Sequence, residues 1–351
     1  MPYLKAIDFF CGAGGMSYGL SKAGIKILAG IDNDRECRQT YETNIPDARF
    51  IKHDITTLSA PELGRRLGIK ENDSSLVFAG CSPCQYWTKI RTNKVKGERS
   101  AFLLRNFERF IRHFRPGFIV VENVPGLLTN RAETVLPDFL RFLDREGYAC
   151  ADGIVNANNF GVPQNRKRYL LIASRLVKEM RLPAPQNDPS LVVSNFIGVA
   201  NGFAHIAAGH NDTSDFQHTA AALSEQNLKR IRLTPKSRGD RTCWKDNPNL
   251  QIPAYQGRDN IFRDVYARVY WDRPAPTITT RFISFSNGRF GHPTEDRAIS
   301  IREGATLQTF PKSFVFKGEN MASVARQIGN AVPPEMARLI GKHLLKIVDN
   351  G

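Results

Sequence analysis

Ile7-Asp8-Phe9-Phe10-Cys11-Gly12-Ala13-Gly14-Gly15 reads as a buried strand running into a glycine turn and then a helix. Glycines let backbone approach a ligand at a helix N-terminus. The dinucleotide fingerprint wants a further glycine three residues after Gly14, where Ser17 stands, and no Walker lysine follows. A nucleotide-like ligand fits this turn; a pyrophosphate is not called for. Outward from it, apolar runs at 3–10, 25–31, 76–79, 118–121 and 169–173 alternate with helix-like stretches at 16–23, 34–44, 100–114 and 132–146. Such alternation predicts an α/β fold with a parallel, doubly wound sheet. Asp32 ends the second strand and Asp54 a third segment, 49–55. With the glycine turn they form three sites on consecutive strand ends, where ligands of these sheets bind.

The character changes near Leu182: residues 182–275 are rich in Pro, Asn, Asp and Gly and lack a period. The run 229–245 carries Lys229, Arg230, Arg232, Lys236, Arg238, Arg241 and Lys245 against Asp240 alone. It reads either as a solvated face or as a phosphate-contacting surface. The stretch 323–348 returns to an amphipathic helical pattern that would pack back on the first domain, making the second an insertion. The whole chain of 351 residues is basic, with 49 Lys and Arg against 34 Asp and Glu, a net charge of +15. An excess of that size favours a polyanionic partner. No apolar run approaches the roughly 20 residues that span a membrane, and the start lacks signal-peptide architecture. A cytoplasmic, nucleoid-associated setting with six free cysteines is expected.

Ala79-Gly80-Cys81-Ser82-Pro83-Cys84-Gln85 follows another buried strand and holds a Cys-x-x-Cys pair. Zinc would need two further ligands, and no second pair exists; a thioredoxin-like redox site is conceivable. The third reading is one nucleophilic cysteine at a strand end, which needs positive neighbours to react as thiolate. Lys89, Arg91, Lys94, Lys96 and Arg99 follow in a basic segment suited to close over an anionic substrate. Arg166 and Arg168 precede a later strand, and Glu122-Asn123-Val124 ends the strand beside the cysteine.

Together these segments resemble the cytosine-5 DNA methyltransferase family, of the bacterial type II modification-methylase kind, over nearly the whole chain. Asp8–Gly15 resembles the cofactor loop, Pro83-Cys84-Gln85 the nucleophile motif and Glu122-Asn123-Val124 the glutamate motif. Gln164, Arg166 and Arg168 match Gln-x-Arg-x-Arg. Residues 273–279 resemble the motif that organises the target-recognition domain, and 327–334 the final motif, which returns to the cofactor site. The resemblance implies a Rossmann-like S-adenosylmethionine-dependent domain (1–181 and 318–351) with an inserted, smaller target-recognition domain (182–317). It implies cofactor contacts from Asp8, Phe10, Gly12, Gly14, Gly15, Asp32 (ribose), Asp54 (adenine), Ile55 and Asn330. The catalytic set would be Cys84, not Cys81, with Glu122, Arg166 and Arg168. Substrate contacts would come from Gln85, Arg91, Lys94, Asn123, Gln164 and Thr277, with no metal.

The implied reaction is methyl transfer to carbon 5 of a flipped-out cytosine in a specific sequence of double-stranded DNA, through a covalent adduct of Cys84. A cognate restriction endonuclease acting on the same site, without direct contact, is an implied associate. Two alternatives stand beside this reading: a tRNA cytosine-5 methyltransferase with the same motifs, and a non-catalytic DNA-binding module of the same fold. The length of 182–275 favours duplex DNA.

Overall fold

A computed structural model describes residues 3–81, 95–129 and 135–349. The chain forms two compact units: one of 1–160, 167–186 and 331–351, the other of 161–166 and 187–330.

The first unit is built on β1 (Lys5–Phe9), β2 (Lys26–Asp32), β3 (Arg49–Lys52), β4 (Leu76–Gly80), β5 (Phe118–Asn123), β6 (Ala149–Asn156) and β7 (Lys167–Ser174). They form one sheet in the order β3-β2-β1-β4-β5-β7-β6. The first five run parallel, as the strand–helix alternation predicts. β7 is antiparallel to both its neighbours, a departure from the all-parallel expectation. Its chain reaches it from β6 through a short helical turn, Ala157–Phe160, and residues 161–166, not through a crossover helix. β6 is not predicted from sequence because an edge strand is only partly covered: its Ala-Cys-Ala-Asp-Gly start offers no apolar alternation.

Helices α1 (Gly15–Ala23), α2 (Cys37–Asn44), α3 (Ala60–Leu67), α4 (Val95–Phe114), the short α5 (Gly126–Thr129) and α6 (Leu136–Arg145) follow the strands. α2 starts three residues later than expected. Asp32 Oδ1 and Asp34 Oδ1 accept from the N–H groups of Asp34 and Glu36, so side chains compete with the first helical turn. Phe9, Phe78, Phe107 and Phe110 form the centre of the core, with Phe9 5.1–5.2 Å from the other three rings.

The second unit contains α7 (Glu225–Leu233), α8 (Ile301–Leu307) and α9 (Met321–Asn330). The expected single terminal helix is in fact two: Pro333 and Pro334 separate α9 from α10 (Pro334–Asp349), which belongs to the first unit. Among the described residues the second unit has no named strand, only isolated bridges. Its irregular backbone must find other donors, and buried arginines supply them. Arg268 donates to the carbonyls of Thr234, His292, Ile231 and Glu295. Arg302 donates to those of Phe216, Asp215, Phe314 and Pro311.

Arg297 forks onto both oxygens of Glu303 at 2.7 and 2.8 Å and reaches Glu295 at 2.9 Å. His292 lies 3.4 Å from both acids. These two acids and the histidine converge as metal ligands would, yet Arg297 already pairs with both acids. Burial alone would raise the Glu303 carboxyl; the Arg297 hydrogen bonds and His292 overcome it and hold the group well below its usual range. A depressed folded-state pKa adds stability above the unfolded value of 4.5, which is lost as pH falls. Arg297→Leu is expected to cost about 3–5 kcal/mol by denaturant unfolding, because Glu303 is left buried and unpaired.

Six of the seven cations of 229–245 are engaged within this unit. Lys229 pairs with Glu225, Lys236 with Asp296, Arg238 with Asp272 and Lys245 with Asp246. Arg230 lies over Trp244 and Tyr266, and Arg241 is buried. Only Arg241 is buried; Lys229, Lys236, Arg238 and Lys245 hold their partners at the surface, and Arg232 is exposed without a partner among the described residues.

Candidate active site

The glycine turn at the end of β1 is fixed from beneath. Asp8, wholly buried, accepts from Ser17 N at 3.1 Å and Ser17 Oγ at 2.7 Å. Ser17 Oγ in turn lies 2.9 Å from the Tyr41 hydroxyl of α2. Burial pushes the Asp8 carboxyl up to about 7 against the Ser17 bonds. The Tyr41 ring underlies the turn, and a Cβ on Gly14 would sit 2.9 Å from it. Ser17 and Tyr41 are not legible as site residues in the sequence. Their role comes from a contact across 24 positions, and Ser17 stands out there only as a missing glycine.

Gly12 and Gly15 serve different ends. Gly12 has φ +50° and open space where its side chain would be, so its backbone is approachable. A Cβ on Gly15 would meet the Val332 carbonyl oxygen at 2.2 Å, so this glycine is required by packing against the chain before α10. Phe10 is held at φ +64°, a left-handed conformation that bulky residues avoid and that clusters at ligand sites. Asp32 Oδ2 accepts from Gly12 N at 2.8 Å, tying the end of β2 to the turn. Burial raises the Asp32 carboxyl pKa, against the hydrogen bonds it accepts from Asp34 and Gly12. Asp54 is exposed and caps its own turn through Thr56 N, and Ile55 beside it is buried.

Farther along the same sheet edge, Glu122 stands at the carboxyl end of β5, one residue before its last, Asn123. Arg168 of the adjacent β7 places Nε 3.0 Å from Glu122 Oε1, with both side chains largely buried. Burial pulls the Arg168 pKa down while Glu122 opposes the shift. Asn123 is buried, and its Oδ1 accepts from Val124 N, turning the chain after the strand. Cys81 follows β4, the strand between β1 and β5, and its N–H donates to the Phe9 carbonyl at 3.2 Å. Burial, then the Glu122 and Asp8 carboxylates, push the Cys81 thiol well up, so it is not a ready thiolate. Cys84, Gln85, Arg91 and Lys94 lie outside the described residues.

In the second unit, Gln164 is wholly buried. Its Oε1 accepts from Ile278 N, and its Nε2 donates to Gln308 Oε1 and the Leu307 carbonyl. Arg166 is buried too and donates to the carbonyls of Ile278 and Gly329 at 3.0 and 3.1 Å. Thr277 Oγ1 donates to the Asn165 carbonyl at 2.8 Å, and Asn330 is the exposed last residue of α9. Gln164 and Arg166 therefore bind the 275–279 segment, α8 and α9 to one another. Of the Gln-x-Arg-x-Arg triplet, Arg168 is the one in the first unit, where it pairs with Glu122.

The family profile of the C-5 cytosine-specific DNA methylases matches residues 4–346. The chain belongs to this family. Type II methylase M.HgiDII of Herpetosiphon aurantiacus is 36% identical over 98% of this chain and 95% of its own length. Type II methyltransferase M1.HphI of Haemophilus parahaemolyticus is 33% identical over 99% and 88%. A crystal structure of a putative DNA modification methyltransferase from an Escherichia coli prophage shares the fold, with TM-score 0.71, 20% identity and 99% of each chain covered. This cytosine-5 methyltransferase uses S-adenosylmethionine to methylate carbon 5 of cytosine in DNA. The first unit fits that cofactor: an open-sided glycine turn, an acid at the end of the next strand and the strained Phe10 share one sheet edge. No helix among the described residues is long and apolar enough to cross a membrane.

Proposed function

We propose that this methyltransferase works by covalent catalysis, with Cys84 as nucleophile, Glu122 as the acid that faces the cytosine ring and Arg168 as its orienting partner. The observation that carries this is the buried Glu122–Arg168 pair at the carboxyl end of β5, beside the end of β4 from which the chain runs on to Cys84. When bound, S-adenosylmethionine supplies an electrophilic methyl group. The thiolate of Cys84 adds to carbon 6, and the ring's electron pair moves toward carbon 5 and nitrogen 3. A protonated Glu122 hydrogen-bonds nitrogen 3 and stabilises the developing charge. After methylation, loss of the carbon 5 proton lets the electron pair reform the ring double bond and expel the Cys84 sulfur. A base inside a stacked duplex is out of reach of such a site, so the target cytosine must be flipped out.

Phe10, Gly12, Gly14, Asp32, Asp54, Ile55 and Asn330 form the cofactor site in this reading; Asp8 and Gly15 support it from within. Arg166 and Gln164 act through the backbone they hold, with Thr277. Gln85, Asn123, Arg91 and Lys94 are the substrate contacts in this reading. Residues 1–181 and 318–351 are the catalytic domain and 182–317 the target-recognition domain, with a cognate endonuclease reading the same DNA site. Two type II relatives at 33% and 36% identity support duplex DNA over tRNA. Methyl incorporation into duplex DNA and into tRNA, followed by bisulfite sequencing, tests this. Incorporation into tRNA alone would overturn it.

The two glycines give a contrast. Gly12→Ala is expected to lower unfolding stability by only about 1–2 kcal/mol, the cost of a left-handed alanine, while raising KM for S-adenosylmethionine about tenfold. Gly15→Ala is expected to lower stability by about 1–3 kcal/mol, because Val332 must move. Denaturant melts and cofactor titration separate the two.

A further inference from the structure

The segment 252–264 of the second unit is wrapped around one buried guanidinium. Arg241, 3% exposed, donates to the carbonyls of Arg258 at 2.5 Å, Ile261 at 2.7 Å and Phe262 at 3.4 Å. It also faces Asp259 at 3.4 Å and lies 4.8 Å from the centre of the Tyr255 ring. Turning these carbonyls inward leaves the side chains of Ile261 and Phe262 at the tip, 47% and 61% exposed. Phe262 stands at φ +51°, a conformation a phenylalanine rarely adopts without compensation. Single exposed apolar residues are ordinary on any surface. Here two adjacent ones are presented by a strained backbone that a buried charge holds in place, and such strain points to a use.

The charges of the segment are sorted. Asp259 faces the buried Arg241, and Asp264 pairs with the largely buried Arg289. Arg258 is exposed with no side-chain partner among the described residues, and Arg263 is exposed while reaching Asp240 at 2.8 Å. An apolar tip between arginines, with each acid of the segment paired to an arginine, suits the groove of a nucleic acid duplex. There apolar side chains meet the methyl of thymine and arginines meet phosphates.

We propose that the 252–264 segment is the part of this methyltransferase that reads base edges of duplex DNA, with Ile261 and Phe262 contacting a thymine methyl and Arg258 a flanking phosphate. The inference rests on the duplex-DNA reading above. The test uses the full-length enzyme and the duplex site that wild type methylates, with each thymine in turn replaced by uracil, which lacks only the methyl group. Wild type is expected to lose about tenfold in kcat/KM at one such position, the scale of a lost base contact. Phe262→Ser and Ile261→Ser should lose as much on the normal duplex, with unchanged melting temperature, and lose nothing further on uracil. Arg258→Ala should weaken binding evenly across sequences and lower the salt slope by about one. Wild-type activity with no uracil-sensitive position, or serine variants with unchanged kcat/KM and site preference, would overturn the proposal. Failure of wild type to methylate any duplex would instead overturn the function reading on which it rests.

Discussion

Cys84→Ser is expected to abolish methyl transfer while leaving duplex DNA binding intact. Addition to carbon 6 of cytosine needs a strong nucleophile at neutral pH, and a thiol near its ordinary pKa of about 8.5 supplies a reactive fraction of thiolate. A serine hydroxyl ionises far less at neutral pH. The loss in kcat should be on the order of 10⁴-fold or more, as for other removed nucleophiles. Binding should persist because phosphate and base contacts do not involve the sulfur. Radiolabelled methyl incorporation and a gel shift on the same duplex read both quantities, and normal turnover by the serine variant would exclude the covalent route. Cys81→Ala is the matched control. Its thiol is held protonated by burial and by the carboxylates of Glu122 and Asp8, so activity should survive within a few-fold. A redox protein using both cysteines would lose function in either variant.

Glu122→Gln is expected to lower kcat by about 10²–10⁴-fold, the range of a lost general acid, with a smaller change in KM for DNA. Glutamine keeps the size of the side chain and still hydrogen-bonds, but it cannot deliver a proton to ring nitrogen 3. A fall in stability must be separated from this, because Arg168 would face a neutral amide inside the protein. Arg168→Met provides the separation. It should destabilise the protein and lower kcat more than it raises KM for DNA, since Glu122 loses the partner that orients it. A folded Arg168→Met enzyme with wild-type kcat would exclude Arg168 as the orienting group.

The strand that ends at Phe9, the turn after it and the acids at 32 and 122 are legible in the sequence because each element announces itself locally. Apolar runs, glycines and strand-end acids are readable at short range, and their order along the chain constrains the sheet. β6 and the reversed β7 are not legible, because strand direction is settled by pairing and not by composition. The Gln-x-Arg-x-Arg triplet is legible as a motif, but the division of labour within it is not. Arg166 is committed to the carbonyls of Ile278 and Gly329, 112 and 163 positions away, while Arg168 turns to Glu122 on the neighbouring strand.

Charge shows the same limit. The excess of +15 points toward DNA, but the densest basic run does not reveal which of its cations are buried. Arg241 is the clearest case: it reads as one more cation in 229–245, and it is the buried post around which 252–264 folds. By itself the sequence determined the family, the glycine turn after β1 and the motif Pro83-Cys84-Gln85, because those depend on residues adjacent in the chain. Only the tertiary structure decided which arginine meets Glu122, which glycine is open to a ligand and which carbonyls the buried guanidiniums satisfy. Those contacts join residues distant in sequence, and burial forces each such polar group to find a partner wherever the fold places one.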